Sequence, residues 1–288
     1  MTPTICLEVW GADPRDLITV ARHAESVGLE GVYLGESPTA LNAETWTSLG
    51  AIAAATEHLR IGPVIANLLP DYRSPILLAR QGATLAALSG GRFDFRTGAG
   101  ASRSAGRAWW QPAGVDYPAY EARLEQTEHQ LGLLRRLWRG EVVEIAGAGF
   151  ELGQAHPGIE ITLAATGPRA LAVAGRLADR WETSFSTVEE WRIRAADASG
   201  GLRTSLEIDA FVGSGTDPDR IWRDAARDRD GEDLEAIRAR SLVGAPATIA
   251  EQLHALGAAG VERLVVALHD PHDLDAITGL GEAARAAR

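Results

Sequence analysis

The chain has no lysine: all 28 of its basic residues are arginine. That excludes Schiff-base catalysis by a lysine amine and covalent attachment of pyridoxal phosphate. Its single cysteine, Cys6, has no partner for an internal disulfide and cannot build a zinc cluster alone. No run of about 18 apolar residues occurs, and no basic segment followed by an apolar one opens the chain. The expectation is therefore a cytoplasmic protein without a membrane span. Gly-x-Ser-x-Gly, Walker A, His-Glu-x-x-His and Cys-x-x-Cys motifs are all missing. Basic residues are outnumbered by 39 acidic ones, for a net charge of −11. Nucleic acids and anionic membranes call for a basic face, so neither is an expected partner.

What is present suits a soluble core: 45% apolar and 23% charged residues in a chain of 288. Short apolar, β-rich runs alternate with alanine-rich stretches of helical spacing. Strands are expected at residues 4–9, 31–34, 59–65, 92–97, 160–164, 181–184, 205–212 and 263–267. Helices are expected at 14–27, 44–56, 75–88, 120–137, 168–177, 247–256 and 273–287. Asp13 and Pro14 read as N-cap and first helical residue, and Gly28 as the helix end. Eight strand–helix units point to an α/β fold, a closed (β/α)8 barrel formed as a single domain over 1–288. Residues 241–243 form an extra apolar run in an irregular seventh unit. Residues 99–119 are too long for a simple turn and read as a functional or mobile loop. Segments 183–201 and 213–231 are the next candidates for mobility. These insertions would sit at the C-terminal face, where barrel active sites are built.

Reading the strand ends in order yields the candidate residues. Glu8, Glu36, Glu182 and His269 are the titratable ones. Trp10, Trp46, Trp109, Trp110 and Trp181 are candidate pocket walls, whereas Trp138 reads as core, and Trp109-Trp110 as a lid or an oligomer contact. Thr166-Gly167-Pro168 joins a strand to a helix whose free N–H groups would hold an anion such as a cofactor phosphate. Arg169 either adds charge there or belongs to a solvated face. Gly98-Ala99-Gly100 is a strand-exit turn, and Arg103 replaces the third glycine of a dinucleotide fingerprint. His269 and His272 lack an evident third metal ligand, and Pro271 between them suggests a turn.

The run Leu78-Ala79-Arg80-Gln81-Gly82-Ala83-Thr84-Leu85, then Leu88-Ser89-Gly90-Gly91-Arg92-Phe93, then Gly98-Ala99-Gly100, resembles the luciferase-like monooxygenases and their deazaflavin-dependent relatives. Leu59-Arg60-Ile61-Gly62, Ala164-Ala165-Thr166-Gly167-Pro168-Arg169-Ala170 and Val243-Gly244-Ala245-Pro246 follow in the right order. Gly62-Pro63-Val64-Ile65-Ala66-Asn67 resembles the methylene-tetrahydromethanopterin reductase branch, which uses coenzyme F420.

The resemblance implies a cofactor-dependent oxidoreductase that transfers a hydride between coenzyme F420 and a small organic substrate. It implies a cis peptide at Val64–Ile65 behind the cofactor ring. Implied cofactor contacts are Glu36, Val64, Ile65, Ala66, Asn67, Gly98, Gly100, Ala165, Thr166 and Gly167; implied catalytic residues are Glu8, Glu36, Trp46 and Asn67. A reduced-FMN-dependent two-component monooxygenase is the alternative, and a non-catalytic flavin-binding barrel a second one. No metal is expected. A homodimer and a flavin or F420 reductase as cofactor supplier are implied partners. Two departures matter. Glu36-Ser37 stands where many deazaflavin-dependent relatives carry Asp-His, and serine cannot shuttle protons near neutral pH. Ala101 stands where glucose-6-phosphate-oxidising relatives carry an acid, which argues against a sugar-phosphate dehydrogenase.

Overall fold

The computed structural model describes residues 1–38, 42–69, 71–145, 147–198, 201–213 and 233–288. All of the expected 213–231 segment after residue 213, and the end of 183–201, lie outside the described residues. Strands β1 (Thr4–Val9), β2 (Gly31–Gly35), β3 (Arg60–Val64) and β4 (Asp94–Gly98) form the first half of a barrel. A small antiparallel hairpin follows, β5 (Val143–Ile145) and β6 (Ala148–Phe150). The second half comprises β7 (Glu160–Ala164), β8 (Arg180–Ser184), β9 (Arg203–Val212) and β11 (Arg263–Leu268). The short β10 (Ser241–Gly244), the extra apolar run, pairs only with the C-terminal half of β9.

All barrel pairings are parallel, in the order β3-β2-β1-β11-β9-β8-β7-β4. Two backbone bonds close the ring between β3 and β4: Ile61 N–H to Arg92 O at 3.0 Å and Ala66 N–H to Arg96 O at 2.7 Å. The expected (β/α)8 barrel is thus present.

Side chains alternate along each strand. Ile5, Leu7 and Val9, with Phe93, Phe95, Ile161 and Leu163, point outward into one buried shell beneath the helices. The helices are α1 (Pro14–Ser26), α2 (Thr45–Ala55), α3 (Pro75–Leu88), α4 (Arg103–Trp110), α5 (Tyr120–Trp138), α6 (Pro168–Leu177), α7 (Val188–Asp197), α8 (Leu234–Ala239), α9 (Pro246–Ala258) and α10 (Leu274–Ala286). Asp13 caps α1, with its carboxylate accepting from Arg15 N–H at 2.8 Å. Trp138 is core, its indole donating to Ala79 O at 3.0 Å while α5 packs on α3 at Gly82. A Cβ at position 82 would stand 2.7 Å from the Trp138 ring. Among the described residues, no helix is long and apolar enough to cross a membrane.

Two expectations are corrected. Residues 99–119 are not one open loop: α4 occupies their middle, started by Ser102, and Trp110 is buried against Tyr72 at a ring separation of 4.7 Å. Within 183–201, α7 is held by a reciprocal cap in which Thr187 and Glu190 bond each other's backbone. Both helices are short, and their apolar spacing is too brief to distinguish from loop.

Inward-facing positions are unusually polar. At the N-terminal floor, Asp94 accepts from Tyr33 Oη at 2.7 Å and Arg60 Nε at 2.8 Å, with Arg263 at 3.4 Å. Glu160 accepts from Arg180 at 2.8 Å, Arg263 at 2.9 Å and Arg203 at 2.7 Å. Burial pushes the Asp94 carboxyl up, but the bond from Arg60 and the charge of Arg263 outweigh it and hold the group below the usual range. Above the floor sits a small apolar layer of Cys6, Tyr33, Val64 and Val265.

Candidate active site

The C-terminal ends of β3, β4 and β7 form a continuous shelf. The Val64–Ile65 peptide is cis. Ala66 bridges Thr97, whose hydroxyl donates to Ala66 O at 2.7 Å, and Gly98 pairs with Ala164 on β7. A Cβ at Gly98 would stand 3.2 Å from Ala164 Cβ and 3.3 Å from Ile65 Cδ1. Glycine therefore keeps the shelf flat enough for a planar ligand.

Beyond it opens a cavity of about 220 Å3 lined by Asn67, Leu68, Gly98, Gly100, Tyr117 and Arg123, among others. Gly100 has φ +80°, a left-handed conformation that a Cβ disfavours. Arg123, unmarked in the sequence reading, donates to Ala99 O at 2.7 Å, Ala101 O at 2.8 Å and Pro118 O at 2.6 Å. It ties both ends of the 99–118 segment and stacks on Tyr117 at 4.1 Å.

At the β7 end, Gly167 is the N-cap of α6 and Pro168 its first residue, with no side-chain cap. The first-turn N–H groups are left for a ligand or solvent. Arg169 is exposed and 3.9 Å from Glu125, so it belongs to a solvated face. Val64, Ile65, Ala66, Asn67, Gly98, Gly100, Ala165, Thr166 and Gly167 thus fall on three neighbouring strand ends. These residues fit a flat ring joined to a phosphate.

Glu36 is held in place by the fold itself. Its carboxylate is buried and already engaged: Oε1 accepts from Trp46 Nε1 at 2.8 Å and from Arg73, and Oε2 accepts from Asn67 N–H at 2.6 Å. Burial pushes this carboxyl up, opposed chiefly by the Arg73 charge. Glu36 is the hub that fixes the loop after β3. Trp46 is likewise not a pocket wall: it is buried behind Glu36, with its ring 5.9 Å from Phe93. Trp181 is fully buried, donating to Ala165 O at 2.7 Å. Nothing in the sequence marked Arg73, which lies 37 positions from its partner.

Trp10 does reach the mouth, 40% exposed, its indole donating to Glu8 Oε1 at 2.5 Å. Below it, Arg96 lies 2.5 Å from Glu182 and 4.0 Å from Glu207. Burial pushes the Glu8 carboxyl up. Glu207 is held well above the usual range by burial and by the charges of Glu8 and Glu182. Neither Arg96 nor Glu207 was identified from sequence, because their meeting depends on barrel closure. His269 packs near Phe211, and His272 Nε2 bonds Trp10 O at 3.0 Å.

Residues 5–205 match the family model described as luciferase-like monooxygenase. The F420-dependent glucose-6-phosphate dehydrogenase of Beutenbergia cavernae is 32% identical over 184 residues, 58% of this chain and 51% of that one. The 5,10-methylenetetrahydromethanopterin reductase of Archaeoglobus fulgidus is 26% identical over 241 residues, 80% of this chain and 67% of that one. The chain spans about half the length of several curated relatives it matches. An F420-dependent secondary alcohol dehydrogenase, solved with an F420-acetone adduct, superposes over the full length of both chains with a TM-score of 0.79 at 17% identity. The oxygenating constituent of 3,6-diketocamphane monooxygenase from Pseudomonas putida, solved with FMN, gives 0.72 at 21% over 99% of both chains. At those identities the two structures speak for the fold alone. The family match agrees with the barrel and with the shelf at the ends of β3, β4 and β7: this chain belongs to the luciferase-like monooxygenase family, among relatives that include F420-dependent oxidoreductases.

Proposed function

We propose that the chain is a coenzyme F420-dependent oxidoreductase acting on a small organic substrate. The observation that carries this reading is the flat shelf running from Val64–Ile65 across Gly98 to the uncapped N-terminus of α6. The bound deazaflavin would supply or accept the hydride. The chain's own residues do the rest. Ile65, Ala66 and Gly98 back the ring, Asn67 meets its polar edge, and Thr166 with the first turn of α6 holds the phosphate. The mouth residues Glu8 and Trp10 face the substrate side. Deazaflavin is favoured over flavin by the F420-dependent activity of relatives such as the glucose-6-phosphate dehydrogenase of Beutenbergia cavernae. Ala101 leaves no carboxylate beside Gly100, which favours a substrate other than a sugar phosphate. A second copy of the chain and a separate reductase that regenerates reduced cofactor belong to the same reading.

The alternative, a reduced-FMN-dependent monooxygenase, is supported by the FMN-bound structural neighbour. Titration of the purified protein with coenzyme F420, FMN and reduced FMN, followed by fluorescence and calorimetry, separates the two. Micromolar binding of F420 with weak binding of FMN is expected. Preference for FMN or reduced FMN would replace this reading with the monooxygenase, and oxygen consumption would then be the next assay.

A further inference from the structure

Trp10, the residue after β1, is held at its face, its edge and its backbone. A Cβ at Gly35 would stand 2.2 Å from Trp10 Cδ2 and Cε3 and 2.5 Å from Cε2, so one face of the indole lies directly on the β2 backbone. Any side chain at position 35 would push the ring away. At the edge, the ring N–H donates to Glu8 Oε1 at 2.5 Å. The Trp10 carbonyl accepts from His272 Nε2 at 3.0 Å, and the next carbonyl, of Gly11, accepts from Ala43 N–H at 2.8 Å. Despite these restraints the side chain stays 40% exposed, whereas Trp46, Trp138 and Trp181 are buried. With the inner face covered by Gly35, that exposure falls on the opposite face of the ring.

Beside the open face is an unused oxygen. Glu8 is 8% exposed; its Oε1 is taken by the indole, while Oε2 is buried with no hydrogen-bond partner. Leaving a buried polar atom unpaired costs about 1–3 kcal/mol, and folded proteins rarely do so without a reason. Gly35 is the register partner of Val64 on β3. The indole therefore rests beside the cis peptide where the shelf begins.

We propose that Trp10 and Glu8 form a binding site for a flat ring that carries a hydroxyl group. The ring stacks on the open indole face, and the hydroxyl donates to Glu8 Oε2. That this ring belongs to the substrate rests on the oxidoreductase reading above; the binding itself does not. On that reading the substrate is an alcohol attached to a flat ring, held at the edge of the shelf.

Ligand-observed NMR of the cofactor-free protein, with benzyl alcohol and its methyl ether as probes, tests this. The alcohol is expected to bind about tenfold or more tightly than the ether, the typical strength of a hydrogen bond to a charged group. Its ring protons should shift upfield, because they lie over the indole face. Trp10→Ala should weaken both probes by about threefold to tenfold and remove the shift. Trp10→Phe keeps a ring on Gly35 and should retain binding within about threefold. Glu8→Gln should level the two probes, because its amide N–H meets either oxygen alike. No binding of either probe to wild type would overturn the site. Equal affinity of alcohol and ether in wild type would overturn the Glu8 contact. Binding unchanged by Trp10→Ala, or lost as fully in Trp10→Phe, would overturn the stacking role. Displacement of the alcohol by coenzyme F420 or FMN would overturn its assignment to substrate. The binding arms use no cofactor, so failure of the F420 titration leaves them readable.

Discussion

Arg96 of β4 and Glu182 of β8 form an ion pair of 2.5 Å, both closed to solvent. The same guanidinium lies over the Tyr33 ring at 4.6 Å. With Glu207 at 4.0 Å, this cation restrains two neighbouring glutamates. Arg96→Met is expected to cost about 3–5 kcal/mol at pH 7, the usual penalty for stranding buried charge. The loss should shrink at pH 5, where uncompensated carboxylates take up protons. Urea unfolding at the two pH values checks this; equal losses would contradict it.

Asp94 behaves in the opposite sense. Its folded carboxyl sits below the usual range, because Arg60 and Arg263 outweigh the effect of burial. A depressed carboxyl stabilises the fold above its unfolded value of about 3.9 and loses that contribution as pH falls through the lower folded value. Asp94→Asn should therefore cost about 3–5 kcal/mol at neutral pH. The difference from wild type should narrow as pH falls below about 3.9. Parallel melts from pH 7 to pH 2 measure the convergence.

Cys6 is wholly buried in the barrel, and burial pushes its thiol up to about 11. Thiolate is the reactive form. A thiol reagent at pH 8 is expected to label the native protein at least about tenfold more slowly than protein unfolded in guanidinium. Equal rates would mean that the barrel opens on the labelling timescale.

Gly100 borders the cavity with φ +80°, and a Cβ there would run into the Tyr117 hydroxyl. Gly100→Ala should strain the turn by about 1–2 kcal/mol. It should also weaken binding of coenzyme F420 or FMN by about tenfold or more. Calorimetry beside a thermal melt separates the two effects. Unchanged affinity would remove Gly100 from the cofactor site.

Much of this was legible in the linear chain. Thr4–Val9 and Arg263–Leu268 announce themselves by apolar β-rich runs, and Asp13-Pro14 starts α1 by local chemistry alone. The cis bond at Val64–Ile65 was anticipated from family resemblance rather than from local physics. The α4 and α7 helices escaped notice because eight to ten residues carry too little periodicity.

The sequence by itself determined the barrel, since strand–helix alternation and period-two burial are local properties of the chain. Its lack of lysine and of cysteine pairs also determined which chemistries are closed to it. Only the tertiary structure decided that Glu36 meets Arg73, Trp46 and Asn67, and that Glu182 and Glu207 gather around Arg96. Those partners are far apart in sequence, and ionisation in a buried site depends on which charges closure brings within a few ångströms.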